Sequence, residues 1–325
     1  MGTNSLLSGR WARRALVLVL VGTGLTAVIG QDQKPDQPGA PRQQGQGYDL
    51  RPRFVAGKTT RYSLWARRRV RWDLAGALGT RSWEQTIDSE AEVDWQVRDV
   101  ADDGQATCLM TVLWIAVTVT GTDGQQRTID TRQPLDDDDP LSRRASAIAG
   151  KSIQCHMAAD GSVQGVDGVD GVRAVLGDDP IEDEVFVEQA ASMATIPAAA
   201  SGLKLESDWV KSHTWNRHYG TVHEPMRYEL GSVECVAGIP LATVSGHAEL
   251  SVELDEDAEG DGQIEVTSEG QSSTQIIFDL QRGQVAGRNA LERVRIEVHH
   301  QELDLTRVTE ESIQSQALRI AEGEP

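Results

Sequence analysis

Two stretches of the chain alternate apolar and charged residues with period two over a length that a helix pattern does not allow. From Thr59 to Leu74, Tyr62, Leu64, Ala66, Val70, Trp72 and Leu74 share one face. Arg61, Ser63, Arg67, Arg69, Arg71 and Asp73, with Trp65, share the other. From Trp83 to Val97, Trp83, Ile87, Ala91, Val93, Trp95 and Val97 oppose Glu84, Asp88, Glu90, Glu92 and Asp94. Such alternation specifies long antiparallel strands with one buried face. A hairpin turning at Ala77-Leu78 sets Arg71 against Glu84, Arg67 against Asp88 and Arg61 against Asp94. The same register sets Trp72 against Trp83, Leu64 against Ala91 and Tyr62 against Val93. A slip of one residue would bring arginines onto the apolar face, which burial forbids. The arginine strand is therefore expected to be neutralised within the sheet and not to form a nucleic-acid site.

Thr107 to Thr120 is apolar on both faces and reads as a strand covered on both sides. Asp103-Gly104, Asp123-Gly124, Asp160-Gly161 and Asp261-Gly262 flank strand-like runs, and Asp-Gly suits the positive φ of tight turns. Two segments read as helices: Pro140 to about Ile148, capped by Asp139, and Pro180 to about Ala194, capped by Asp179 with Glu182 three residues into the helix. The Asp136–Asp139 run fits capping and solvation better than calcium ligation.

Four landmarks recur in order. Arg61 to Leu64 matches Arg227 to Leu230, and Ala91 to Val97 matches Ala248 to Leu254. Asp103 to Gln105 matches Asp261 to Gln263, and Gly161 to Gly165 matches Gly283 to Gly287. The expected fold class is mainly β with a few helices (α+β). Its long antiparallel strands form a duplicated, pseudo-twofold curved sheet or two packed sheets. The expected organisation is a signal peptide (1–30), a disordered Gln/Pro-rich tether (31–47) and a first β repeat with an inserted hairpin and helix (48–177). A connecting helix (178–203), a second β repeat (204–308) and a C-terminal tail (309–325) follow.

The N-terminus carries the address. Arg10, Arg13 and Arg14 precede the apolar run Ala15 to Val21, and Val28 with Gly30 suits a signal-peptidase site before Gln31. Glycines at 22 and 24 make the run short for a membrane anchor, the competing reading. An exported protein follows, periplasmic or at the cell surface, and not integral to the membrane after cleavage. The formal charge is −19, and loss of three arginines and no acid takes it to −22. That field repels nucleic acid and anionic lipid headgroups. Cys108, Cys155 and Cys235 are too few for a disulfide framework. Buried free thiols are the default, and a Cys108–Cys155 bridge is the alternative in an oxidising compartment.

The opening strand from Gly57 to Leu64, with Tyr62, and the hairpin from Phe278 to Val285 complete a layout that resembles exported β-rich families of unknown function in planctomycete-type bacteria. The resemblance covers roughly Tyr48 to Arg307 and carries no catalytic residues. A looser likeness, of architecture only, is to the half-barrel lipoprotein carriers of bacterial envelopes, and it implies an apolar groove.

Catalytic signatures are missing from the sequence: there is no Gly-x-Ser-x-Gly elbow, phosphate loop, Cys-x-x-Cys or His-Glu-x-x-His. The metal candidates are His213, His218 and His223 with Glu224, and the acidic stretch Asp257, Glu259 and Asp261. The histidines lie five apart, a spacing that alternates faces on a strand and converges only in a loop. The acidic stretch mimics part of a calcium loop but lacks the carboxylate at its last position, so a solvated hairpin tip fits better. His299-His300 reads as strand structure. No catalytic residue and no cofactor is expected. The expected function is a non-enzymatic binding or structural module of the bacterial cell envelope, whose partner is an envelope protein. The alternatives are a carrier of a lipid or other hydrophobic ligand in an apolar groove, and a metal-dependent enzyme using the His213–Glu224 region.

Overall fold

The computed structural model describes residues 47–77, 79–136, 138–169, 196, 202–217, 220–254, 264–301 and 304–320. The tether, the second helix, His218 and the Asp257–Asp261 stretch lie outside these residues.

Twelve strands make one antiparallel sheet. They are β1 (Thr59–Gly76), β2 (Gly79–Val100), β3 (Ala106–Thr120), β4 (Gln126–Asp130), β5 (Ser152–Met157), β6 (Val163–Asp167), β7 (Asp208–Arg217), β8 (Gly220–Val236), β9 (Ile239–Leu254), β10 (Ile264–Asp279), β11 (Gln284–His300) and β12 (Leu305–Arg319). Their order is β6-β5-β3-β2-β1-β12-β11-β10-β9-β8-β7, with β4 paired to β3. Helix α1 (Pro140–Ile148) is the only helix among the described residues.

The β1–β2 register is the expected one. Arg71 opposes Glu84, Arg67 opposes Asp88, Arg61 opposes Asp94 and Trp72 opposes Trp83. Ion pairs form at Arg61–Asp94 (2.8 Å) and Arg67–Asp88 (2.6 Å). Arg69 takes Glu84 (2.5 Å), leaving Arg71 to Asp73 (3.0 Å). The turns also follow the sequence. Gly104, Gly124 and Gly161 have positive φ, and the Oδ1 of Asp103, Asp123 and Asp160 accepts the backbone N–H two residues on. At α1, Asp139 is the N-cap and accepts from the backbone N–H groups of Leu141 (3.3 Å) and Ser142 (2.8 Å). Leu141, Ala145 and Ile148 then join the buried cluster that holds Ile115 and Val117 of β3 and Ile129 of β4. Burying Leu141 and Ile148 contributes about 1.5–3 kcal/mol each.

One expectation is corrected and one is not confirmed. The segment from Thr309 on, read as a tail, is most of strand β12, which lies in the middle of the sheet between β1 and β11. The duplicated pseudo-twofold arrangement is not visible in the strand order. β1 is central, between β2 and β12, whereas its supposed counterpart β8 is next to last, between β9 and β7. The two halves share one continuous sheet.

Candidate ligand-binding face

Alternate side chains of every strand share the face that carries α1, here called the inner face. One end of the sheet, bearing the β2–β3 and β10–β11 turns, is well closed. There Leu50, Ile196 and Leu203 cover Tyr228, Val244, Ile276, Phe278 and Val285, and Trp209 stacks on Tyr228 with ring centroids 5.6 Å apart. Arg53 N–H donates to the Gly283 carbonyl (2.9 Å), and Tyr62 O–H donates to the Val285 carbonyl (3.2 Å). Arg319 Nη2 donates to the fully buried Asp279 carboxylate (2.9 Å), whose other oxygen accepts from the backbone N–H of Arg282 (2.8 Å) and Gln281 (3.1 Å). Burial raises the Tyr62 phenol well above its usual range.

A polar belt crosses the inner face below that closed end. Ser89, Arg68, Glu311, Ser315, Ser272 and Thr274 are all buried. Arg68 Nε donates to Glu311 Oε1, Ser89 Oγ donates to the Ala66 carbonyl (3.2 Å), and Thr274 Oγ1 donates to the Asn289 carbonyl (2.9 Å).

Beyond the belt lies a third apolar cluster, which meets the one under Leu50 at Ala248. Val222, Leu250, Val294, Ile296 and Val298 are buried, and half-buried Ala248, Val252 and Val266 pack on them. Every one of these side chains comes from β8–β11. The zone spans several strands because Gly270 interrupts the wall. A Cβ there would lie 2.8 Å from Leu250 Cβ, so only glycine lets Leu250 lean across β10. Gly246 does the same nearer the belt, where a Cβ would meet Thr274 Cγ2 at 2.6 Å and Met226 Sδ at 2.9 Å. The sheet also forks at this point. Among the described residues, the β9–β10 ladder runs from Leu241–Asp279 to Leu250–Gly270. From Ile264 to Glu269, β10 pairs only with β11, while Ser251 to Leu254 of β9 pair with β8. Toward the centre of the sheet, Thr309 of β12 lies between Ile296 and Trp72. Trp72 opposes Trp83, and Trp83 is 37 % exposed.

The histidine candidates divide between the two faces. His213 is directly opposite Glu224 on β8, on the inner face. His223 is opposite Thr214, one residue away and thus on the outer face, where Thr214 Oγ1 lies 3.3 Å from Nδ1 and Glu253 3.5 Å from Nε2. Burial, with Arg288 and Lys211 nearby, lowers the His213 pKa to about 4, so its imidazole is neutral at pH 7. His299 meets Thr306 on β12 (Nδ1 to Oγ1, 3.0 Å). Among the described residues no three His, Cys, Asp or Glu side chains gather as a metal-ion cluster would.

Sequence reasoning missed Arg68, Glu311 and the fork. Arg68 falls on the apolar face of β1 and breaks its pattern, which was the signal available. The fork needs the β9–β10 pairing, which no local pattern encodes.

No protein-family model and no curated protein sequence matches the chain. Among solved structures, lipovitellin aligns over 84 % of this chain and 26 % of its own, at 10 % identity and TM-score 0.43. The chain thus spans about a quarter of lipovitellin. A Bacteroides fragilis protein with a YmcC-like fold aligns over 84 % of this chain and 97 % of its own, at 8 % identity and TM-score 0.23. A DUF1329 family protein from Desulfovibrio piger aligns over 80 % and 87 %, at 8 % identity and TM-score 0.12. Scores this low establish no shared fold, and the functional reading rests on the residues of the chain itself. No helix among the described residues is long and apolar enough to cross a membrane.

Proposed function

We propose that this protein is an exported, non-enzymatic binding module of the bacterial envelope that shelters a hydrophobic ligand, a lipid or lipid-like chain, on the apolar zone at the forked end of its sheet. The observation that carries this reading is the placement of a third apolar cluster where the β9–β10 ladder ends. The clusters that stabilise the fold lie under α1 and under the Leu50 segment, whereas Val222, Leu250, Val294, Ile296 and Val298 form a third cluster beyond the belt. Half-buried Ala248 packs both on this cluster and on the one under the Leu50 segment, so the two meet on β9. The third cluster sits where, among the described residues, the β9–β10 ladder opens, an arrangement suited to admitting an apolar chain between β9 and β10. The paired arginines of β1 and the acidic net charge make nucleic acid a poor partner. Export rests on the charged and apolar N-terminal pattern.

The test is titration with a polyene fatty acid whose fluorescence rises in apolar surroundings. Wild-type protein is expected to bind it saturably. Val266→Glu, which places a carboxylate at the fork on a half-buried position, is expected to weaken binding at least about tenfold with an unchanged circular dichroism spectrum. Equal binding by both proteins would overturn the assignment of the site.

A further inference from the structure

Of the three cysteines, two stand directly opposite each other. Cys108 on β3 is the cross-strand partner of Cys155 on β5. In this structure both are free thiols, completely buried on the inner face within the cluster that α1 covers, while the free thiol of Cys235 is exposed on β8. Directly opposed residues of an antiparallel pair have Cα atoms about 4.5 or 5.5 Å apart, according to their place in the ladder. Both distances fall within the range of about 4.4–6.8 Å that disulfides span. The pairing is set by the register of the whole β3–β5 ladder, from Ala106–Met157 to Thr111–Ser152, and not by a flexible loop.

We propose that Cys108 and Cys155 form a disulfide in the exported protein, stapling β5 to β3 across the segment that carries β4 and α1. The inference rests on the export reading, because a reducing compartment would keep both thiols reduced. The oxidant is a protein disulfide supplied by the thiol-oxidising machinery of the envelope. One cysteine attacks as thiolate and forms a mixed disulfide, releasing one donor thiol. The second cysteine then attacks that mixed bond, forming Cys108–Cys155 and releasing the other donor thiol. Two cysteine thiols are oxidised and one donor disulfide is reduced to two thiols.

The timing follows from burial. In the folded protein desolvation pushes both thiols up to about 12, so thiolate is scarce and no donor reaches them. The bridge forms while β3 and β5 pair and before α1 docks. It closes a loop holding a helix, a hairpin strand and the Asp136–Asp139 turn, whose reopening in the unfolded state would otherwise add entropy.

The experiment uses the full chain carrying Cys235→Ser, refolded with and without glutathione disulfide, and the same protein recovered from the envelope of its own host. Refolding under oxidant is expected to yield a monomer lighter by about 2 Da that resists alkylation until reduced. Its melting temperature is expected to lie roughly 5–10 °C above that of the reduced form. Cys108→Ser should abolish both the mass change and the shift. Two alkylatable thiols after oxidative refolding would overturn the proposal. A bridge formed on refolding but absent from the native material would overturn the export reading instead, since the geometry would then have proved competent.

Discussion

Arg68 on β1 and Glu311 on β12 form an ion pair inside the protein, with 4 % and 3 % of their side chains exposed. It ties the first strand to the last, at the seam where the two halves of the sheet join. Taking both charges out of water costs several kcal/mol, which the mutual attraction and hydrogen bond largely offset. The pair is thus better understood as fixing the β1–β12 register than as a source of net stability.

Removing one partner should expose that balance. Arg68→Met is expected to destabilise by about 3–5 kcal/mol, because the buried Glu311 carboxylate loses the guanidinium that offsets its desolvation. The double change Arg68→Met with Glu311→Leu should recover most of the loss. Urea unfolding of the two variants and the wild type checks this, and a double variant as weak as the single one would count against it.

The outer-face pairs should behave differently. Arg67 and Asp88 are 2.6 Å apart, but the arginine side chain is 52 % exposed. A double-mutant cycle on them is expected to give a coupling of only about 0.2–1 kcal/mol, falling as salt is added.

Gly246 offers a test of the inward lean of the wall. An alanine methyl there would lie 2.6 Å from Thr274 Cγ2 and 3.0 Å from Tyr228 Cε1, so Gly246→Ala should cost about 1–3 kcal/mol. Gly165 has nothing within 4 Å of an added Cβ, and Gly165→Ala serves as the comparison. Thermal melts of the two variants check the contrast.

Stability should also depend on pH through His213. Burial lowers its folded pKa to about 4, below the ordinary histidine value of about 6.5, so between these values the unfolded chain binds more protons than the folded one. This contribution is complete above about pH 6.5 and is lost as pH falls toward 4, by up to about 3 kcal/mol. His213→Asn should flatten that part of the profile in urea titrations at pH 4.5, 5.5 and 7.5, buffered settings chosen to span the window of about two pH units.

How far the sequence revealed this fold depended on where the polar residues point. The β1–β2 register was legible because arginines and acids alternate against aromatic and aliphatic residues, so that one register alone satisfies both faces. The cap at Asp139 and the Asp-Gly turns were legible for equally local reasons. Strand β12 was hidden because Thr309, Glu311 and Ser315 point inward, and their partners come from β1 and other strands far away in sequence. The stretch from Trp209 to Pro225 lacked periodicity for a similar reason: Lys211, His213 and Glu224 occupy inner-face positions of β7 and β8. His213 and His223, ten residues apart, would share a face on a single strand; they part to opposite faces because they lie on β7 and β8 in a register that pairs His213 with Glu224 and His223 with Thr214. The apolar residues of the forked end were visible singly, as in Val294-Arg295-Ile296-Glu297-Val298, but their gathering around Gly270 depends on long-range pairing.

Trp83 reports on the ligand directly. It is the partly exposed member of the Trp72–Trp83 pair, at the same end of the sheet as the apolar cluster but with β1 and β12 between β2 and β11. Trp83→Ala is expected to weaken binding of the polyene fatty acid by about 1–2 kcal/mol, a roughly five- to thirtyfold change. A loss of that size with an unchanged melting temperature places the indole at the ligand and not in the core.

The binding reading is tested most directly by a native mass spectrum of the mature protein purified from its own host without detergent. The expected result is a polypeptide beginning near Gln31 with a bound small hydrophobic molecule that organic extraction removes. A spectrum showing only the bare polypeptide, from protein that also fails to take up the polyene fatty acid, would contradict it.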